Sequence, residues 1–204
     1  MPTPRLVAIV LVLVVLSGCQ PKVDARYPNT LTACDLLPRE AAVRVTDVGA
    51  QLGTAQAKES HVIVPYKYCE WSYKQPRAHW YSGYKPGPTE RELTIHLSVH
   101  TKKQHGADGA GAEYGGQRDS QVANGAMVSD LPGIGDAAFL ATDDFHGMVT
   151  SRIWFRRSNA LVEVELWGRD CCVNRTAETQ MQAANRRKLL LAAATAADRT
   201  LLAR

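Results

Sequence analysis

The sequence predicts an α+β fold: a single domain whose antiparallel β-sheet is packed by an N-terminal helix and a long C-terminal helix. Three stretches predict it. Leu93–Thr101, "LTIHLSVHT", alternates apolar and polar residues with the period of a strand that has one face buried. Thr150–Gly168, "TSRIWFRRSNALVEVELWG", holds two such runs around the polar turn "RRSNA" and reads as a hairpin. Asn174–Ala203 is long, alanine-rich and helical in its spacing. Strand runs bracketed by helices place the helices against one face of an antiparallel sheet.

The elements follow in order. Thr32–Asp47, "TACDLLPREAAVRVTD", spaces Leu36, Leu37, Ala41, Val43 and Val45 roughly as a helix does, with Pro38 near the start, where proline is tolerated. Thr46–Glu59 reads as a loop. His61–Lys74 is rich in β-branched and aromatic residues, and its alternation puts Cys69 and Trp71 on the inner side of a strand. In Leu93–Thr101, Leu93, Ile95, Leu97 and Val99 face inward, and Thr94, His96, Ser98 and His100 form a solvated face. The glycine-rich stretch from Lys102 to Gln121 is a loop or a helix weakened by its glycines. Gly133-x-Gly135-x-x-Ala138 superficially fits a dinucleotide fingerprint. A proline precedes it and "AAFLAT" follows like a strand, so it reads as a turn feeding a strand. In the hairpin, Val162, Val164 and Leu166 point to the core, opposite Leu161, Glu163, Glu165 and Trp167. The C-terminal helix is capped by Thr176 and buries a stripe of Met181, Ala184, Leu189, Ala192, Ala196 and Leu201.

The N-terminus carries an address. Leu6–Leu16 is an unbroken apolar run, too short for the roughly 20 residues of a membrane-spanning helix but suited to a signal-peptide core. Arg5 precedes it, and the small residues Ser17 and Gly18 follow. Leu16-Ser17-Gly18-Cys19 resembles the lipobox of bacterial lipoproteins. That resemblance implies cleavage before Cys19 and diacylglycerol on its thiol, with fatty acids such as palmitate as the anchor. Two or more acyl chains hold a protein stably on a membrane. The expected organisation is a cleaved signal at 1–18, a lipidated cysteine and tether at 19–30, and an extracytoplasmic domain at 31–204. The expected location is the cell membrane, lipid-anchored on its extracytoplasmic face.

Export puts Cys34, Cys69, Cys171 and Cys172 in an oxidising compartment, where disulfides persist. Four cysteines allow three pairings. The simplest is Cys34–Cys69 with Cys171–Cys172, although adjacent cysteines bond only through a strained small ring; Cys34–Cys69 is the favoured pair, and the pairing of Cys171 and Cys172 stays open. The other two schemes tie the N-terminal half to the C-terminal strand and stay open. A zinc site fits poorly, because "CC" lacks the gap of a zinc knuckle.

Taken together, "ACDLLP", "YCEWSY", "LPGIGDAAF" and "VEVEL", between a lipobox and a C-terminal helix, resemble the actinobacterial lipoproteins of the domain-of-unknown-function 3558 type. The resemblance runs from about Cys34 to the C-terminus. It implies a Cys34–Cys69 disulfide and a fold similar to the extracellular sensor domains of some receptor kinases, which have a cleft beside the sheet. The glycine-rich segment at 106–116 and the Cys171-Cys172 doublet depart from the family pattern. The family offers no catalytic residues to transfer.

Function is less legible. A net charge of +4 over 204 residues is too small to argue for nucleic acid, and none is expected as a partner. His96 and His100 share a strand face, but about 13 Å between their Cα atoms is too far for one ion. Glu163 and Glu165 lack a visible partner for acid–base work. No nucleophile elbow or spaced metal-ligand set occurs. No catalytic residue, metal or cofactor is therefore expected. The expectation is a membrane-anchored binding or sensing module for a small molecule, glycan or envelope protein. The alternatives are an exported hydrolase or a structural envelope protein. The aromatic loop within Gln75–Glu92 supplies the candidate binding residues His79, Trp80, Tyr81 and Tyr84, because partly exposed Trp and Tyr suit binding surfaces.

Overall fold

The computed structural model describes residues 24–46, 56–59, 67–74, 87–145, 148–171 and 179–204. Three helices occur among them: α1 (Arg39–Thr46), α2 (Gly106–Ala123) and α3 (Ala183–Leu202). The strands are β1 (Gln56–Glu59), β2 (Lys67–Lys74), β3 (Gly87–Val99), β4 (Met127–Asp130), β5 (Ala137–Phe145), β6 (Met148–Arg157), β7 (Ala160–Cys171) and β8 (Thr179–Gln180). They form one antiparallel sheet in the order β1-β2-β3-β7-β6-β5-β4, with β8 paired to the far end of β7. The chain is an α+β domain, and no helix among the described residues is long and apolar enough to cross a membrane.

The alternation seen in the sequence sorts the sheet into two faces. Leu93, Ile95, Leu97, Ile153, Phe155, Val162, Val164 and Leu166 are buried on one of them, with Cys69 and Trp71. α1 and α3 close this face through Ala42, Leu190, Ala193, Ala197 and Leu201, making one continuous core. Cys34 is disulfide-bonded to Cys69, their Cα atoms 5.0 Å apart, within the usual range for such a bridge. The bond fastens the turns before α1 to β2, where Leu36 and Leu37 are fully buried.

The opposite face carries α2. The glycines of 106–116 do not break the chain into a loop, since α2 runs unbroken over 18 residues. Glycine is required at Gly109: a Cβ there would stand 2.0 Å from the Gln104 carbonyl oxygen and 2.9 Å from His100 Nδ1. Its absence lets α2 start directly against β3. The expectation of helices against one face only is thus corrected, and so is that of a solvated Thr94–His100 face. Ser98 and His100 are buried, 2 % and 5 % exposed.

Other boundaries shift. α1 starts at Arg39, after Pro38, rather than near Thr32. The loop expected up to Glu59 ends in β1, and β3 begins at Gly87, ahead of the expected Leu93. Cys171 closes β7, whereas its side chain and Cys172 lie outside the described residues. α3 begins at Ala183 behind Gln182, so Thr176 does not cap it. Its buried stripe is Leu190, Ala193, Ala194, Ala197 and Leu201, and Ala184 and Ala192 are exposed. Gly133 and Gly135 lie in the tight turn between β4 and β5, as expected for a turn feeding a strand.

The segment expected to be a tether is docked from Asp24 onward. Tyr27 is 3 % exposed, its N–H donates to Asn159 Oδ1 (2.8 Å), and its hydroxyl donates to the Leu201 carbonyl (3.2 Å). Asn159 is fully buried and donates in turn to the carbonyls of Tyr27 and His100, at 2.9 and 2.8 Å. One amide side chain therefore joins the N-terminal segment, the β6–β7 turn and the end of β3.

Candidate functional site

The sheet face that α2 partly covers carries ionisable residues in register. Antiparallel pairing sets Tyr68, His96, Glu163 and Trp154 side by side across β2, β3, β7 and β6. The next row on the same face is Glu70, Thr94, Glu165 and Arg152. A third row holds Ser72, Glu92 and Trp167. Directly opposed side chains on one face lie within contact reach, so the rows make a polar platform.

Arg152 is the hub. Its Nε lies 3.2 Å from Glu165 Oε2 and 3.4 Å from Glu163 Oε1, and its Nη2 donates to Glu165 Oε1 at 3.3 Å. Burial opposes the Arg152 charge, but attraction and a hydrogen bond from Glu165, helped by Glu163 and Asp143, raise its pKa above the ordinary value. The guanidinium thus serves Glu165 on two nitrogens and Glu163 on one. Glu163 is the more enclosed carboxyl, 13 % exposed against 27 % for Glu165. Burial first, then repulsion from Glu165, push Glu163 up to about 7, against the pull of Arg152. Arg152 holds Glu165 on two nitrogens, and Glu163 is the carboxyl poised to exchange a proton near neutrality.

The surrounding groups follow the same physics. Burial lowers the pKa of His96, with Glu165 and Arg152 acting in opposite senses on it. The ring packs tilted on Tyr68, with centroids 5.8 Å apart. Glu92 is raised by burial and by repulsion from Glu70, Glu165 and Glu90. At the outer row the Arg169 guanidinium lies over the Trp167 ring at 5.2 Å.

α2 borders the platform and rests on it through polar and aromatic contacts. Glu113 Oε2 meets His100 Nε2 at 2.6 Å and accepts from Ser98 Oγ at 3.2 Å. Tyr114 packs edge-on against Phe139, which stacks on Trp154. These rings, with Ala141 and Leu161, form a second, smaller core under the helix. On its far side a groove of about 580 Å³ opens between Tyr114, Arg118, Leu131, Pro132 and Ile134.

His96 and His100, read as one solvated pair, are separated: His100 is tied to Glu113 under α2, and His96 stands on the platform. Among the described residues no group of three or more metal-ligating side chains converges. Glu163 and Glu165 gain in Arg152 a partner that inspection of the sequence missed. The hairpin held the signal. With Ser158 and Asn159 as a two-residue turn, Arg157 pairs with Ala160, and counting outward brings Arg152 opposite Glu165. Cys19, His79, Trp80, Tyr81 and Tyr84 lie outside the described residues. Comparison with family models, curated proteins and solved structures returned no match.

Proposed function

We propose that the chain is a lipid-anchored, extracytoplasmic binding or sensing module of the cell envelope, of the lipoprotein type its sequence resembles, and that the platform around Arg152 is its binding face. The anchor rests on the lipobox-like Leu16–Cys19. The binding reading is carried by one observation: Arg152, Glu163, Glu165 and His96 are gathered on the sheet face opposite the one that α1 and α3 close, beyond α2 among the described residues. Polar side chains converging on an accessible surface fit orientation-specific binding. The test is mass spectrometry of what co-purifies with the native lipoprotein, compared with Arg152→Gln and Glu165→Gln. The expected result is loss of a specific companion molecule from both variants. An unchanged set of companions would remove the platform as the binding face.

One observation favours an exported hydrolase instead. Glu163, pushed up to about 7 beside a second carboxyl that Arg152 holds, is the kind of group acid–base catalysis uses. Both carboxyls, neighbours on β7, are, however, held by one guanidinium from β6. Screening glycan and peptide substrates separates the readings, because a turnover that Glu163→Gln abolishes establishes the hydrolase.

A further inference from the structure

We propose that the end of the domain built from Asp24–Tyr27, the β3–α2 connection and the last turn of α3 rests on an anionic membrane surface. The proposal depends on the lipid anchor at Cys19 proposed above. Chain length makes the first argument. The residues from Cys19 to Asp24 can span at most about 18 Å. Asp24 is fixed to the domain: its carbonyl accepts from Ala107 N–H at 2.7 Å and its carboxylate from Ser158 Oγ at 2.8 Å. This end therefore cannot move farther from the bilayer than that reach. β3 is 13 residues long, so its opposite end lies about 40 Å away along the strand.

Charge makes the second argument. Arg26, Lys102, Lys103 and Arg199 are exposed here. Most acids at this end are already engaged. Asp198 takes two nitrogens of Arg157, whose third lies 3.7 Å from Asp136, and Asp35 pairs with Arg204 at 3.9 Å. Asp24, whose carboxylate accepts only from a neutral hydroxyl, and Asp108, exposed in the first turn of α2, are the remaining acids to set against the four cations. Leu202, 47 % exposed, adds an apolar side chain, and its carbonyl accepts from Arg26 Nη2 at 3.4 Å. Cations beside an apolar residue, next to an acyl anchor, supply the second signal that lipidated proteins use to stay on anionic bilayers. Docked this way, the sheet carries the platform outward, with Glu92 about 23 Å farther along β3 than Val99.

The experiment uses the full lipidated chain in vesicles of phosphatidylglycerol or of phosphatidylcholine, pulse-labelled with a membrane-impermeant amine reagent and mapped by mass spectrometry. Lys188, exposed near the start of α3 at the other end of the fold, is the internal control. Lys102 and Lys103 should label several-fold more slowly than Lys188 in phosphatidylglycerol vesicles. High salt should shorten that protection, because contacts between exposed charges are screened. Equal rates at all three lysines on a lipidated chain would overturn the docking. Intact mass distinguishes the other failure: a chain without diacylglycerol on Cys19 overturns the anchor, and this proposal with it.

Discussion

The two faces of the sheet are built from alternate residues of the same strands and are closed by different means. On one, α1 and α3 bury a continuous apolar core that includes Ile95, Phe155, Val162 and Val164. On the other, α2 buries only Gly106 and Ala110 of its own residues and leans on the His100–Glu113 contact and the Tyr114–Phe139 ring pair. The first arrangement is stabilised by apolar area removed from water. The second uses short helix residues to bring the helix close, and leaves part of the sheet to charged groups. Stability and chemistry are thus divided between odd and even positions of the same strands.

The sharpest way to break this division is at neighbouring positions of β6. Phe155→Ala, on the closed face, should cost about 3–5 kcal/mol through the cavity it leaves. Chemical denaturation reads it, and a loss below about 1 kcal/mol would mean that the closed face is not the main source of stability. A middle-sized effect belongs to Glu163. Its pKa is about 7 in the fold against an ordinary 4.5, so folding favours the protonated form. That stabilisation is complete below pH 4.5 and is lost as pH rises through 7. The wild type should therefore be roughly 2–3 kcal/mol less stable at pH 8 than at pH 4.5 from this group alone. Glu163→Gln should flatten the slope, and an unchanged slope in the variant would assign it to other groups. The smallest effect is Trp154→Phe. Trp154 Nε1 is buried without a hydrogen-bond partner, so the change removes an unsatisfied donor and keeps a ring against Phe139. Stability should stay within about 1 kcal/mol, or rise. A loss comparable with Phe155→Ala would show that the small core under α2 carries as much as the large one.

The same contrast explains what could be read from the sequence. Leu93, Ile95, Leu97 and Val99 announce their strand because one face is wholly apolar, and Val162, Val164 and Leu166 do so for β7. α2 gives no comparable signal, since a helix that approaches through Gly106, Gly109 and Ala110 has no apolar stripe to show. Its presence is what turns Ser98 and His100 from solvated to buried. In α3 the trouble is the reverse: alanine occupies buried and exposed positions alike, so the phase slips from Ala193 and Ala197 to Ala192 and Ala196. The Cys34–Cys69 bond could be expected from cysteine number and the family resemblance. The platform could not be expected from single residues, because it exists only in the register of four strands.

The Asn159 clasp has a consequence for the order of events during synthesis. Tyr27 is held by a side chain 132 positions later in the chain. Nothing can hold the N-terminal segment in this way until most of the polypeptide has emerged. Tyr27 therefore stays unclasped throughout that interval. Arrival of Asn159 then draws the segment against the sheet, so the folding of the β6–β7 hairpin doubles as the step that seats the N-terminal stretch of chain.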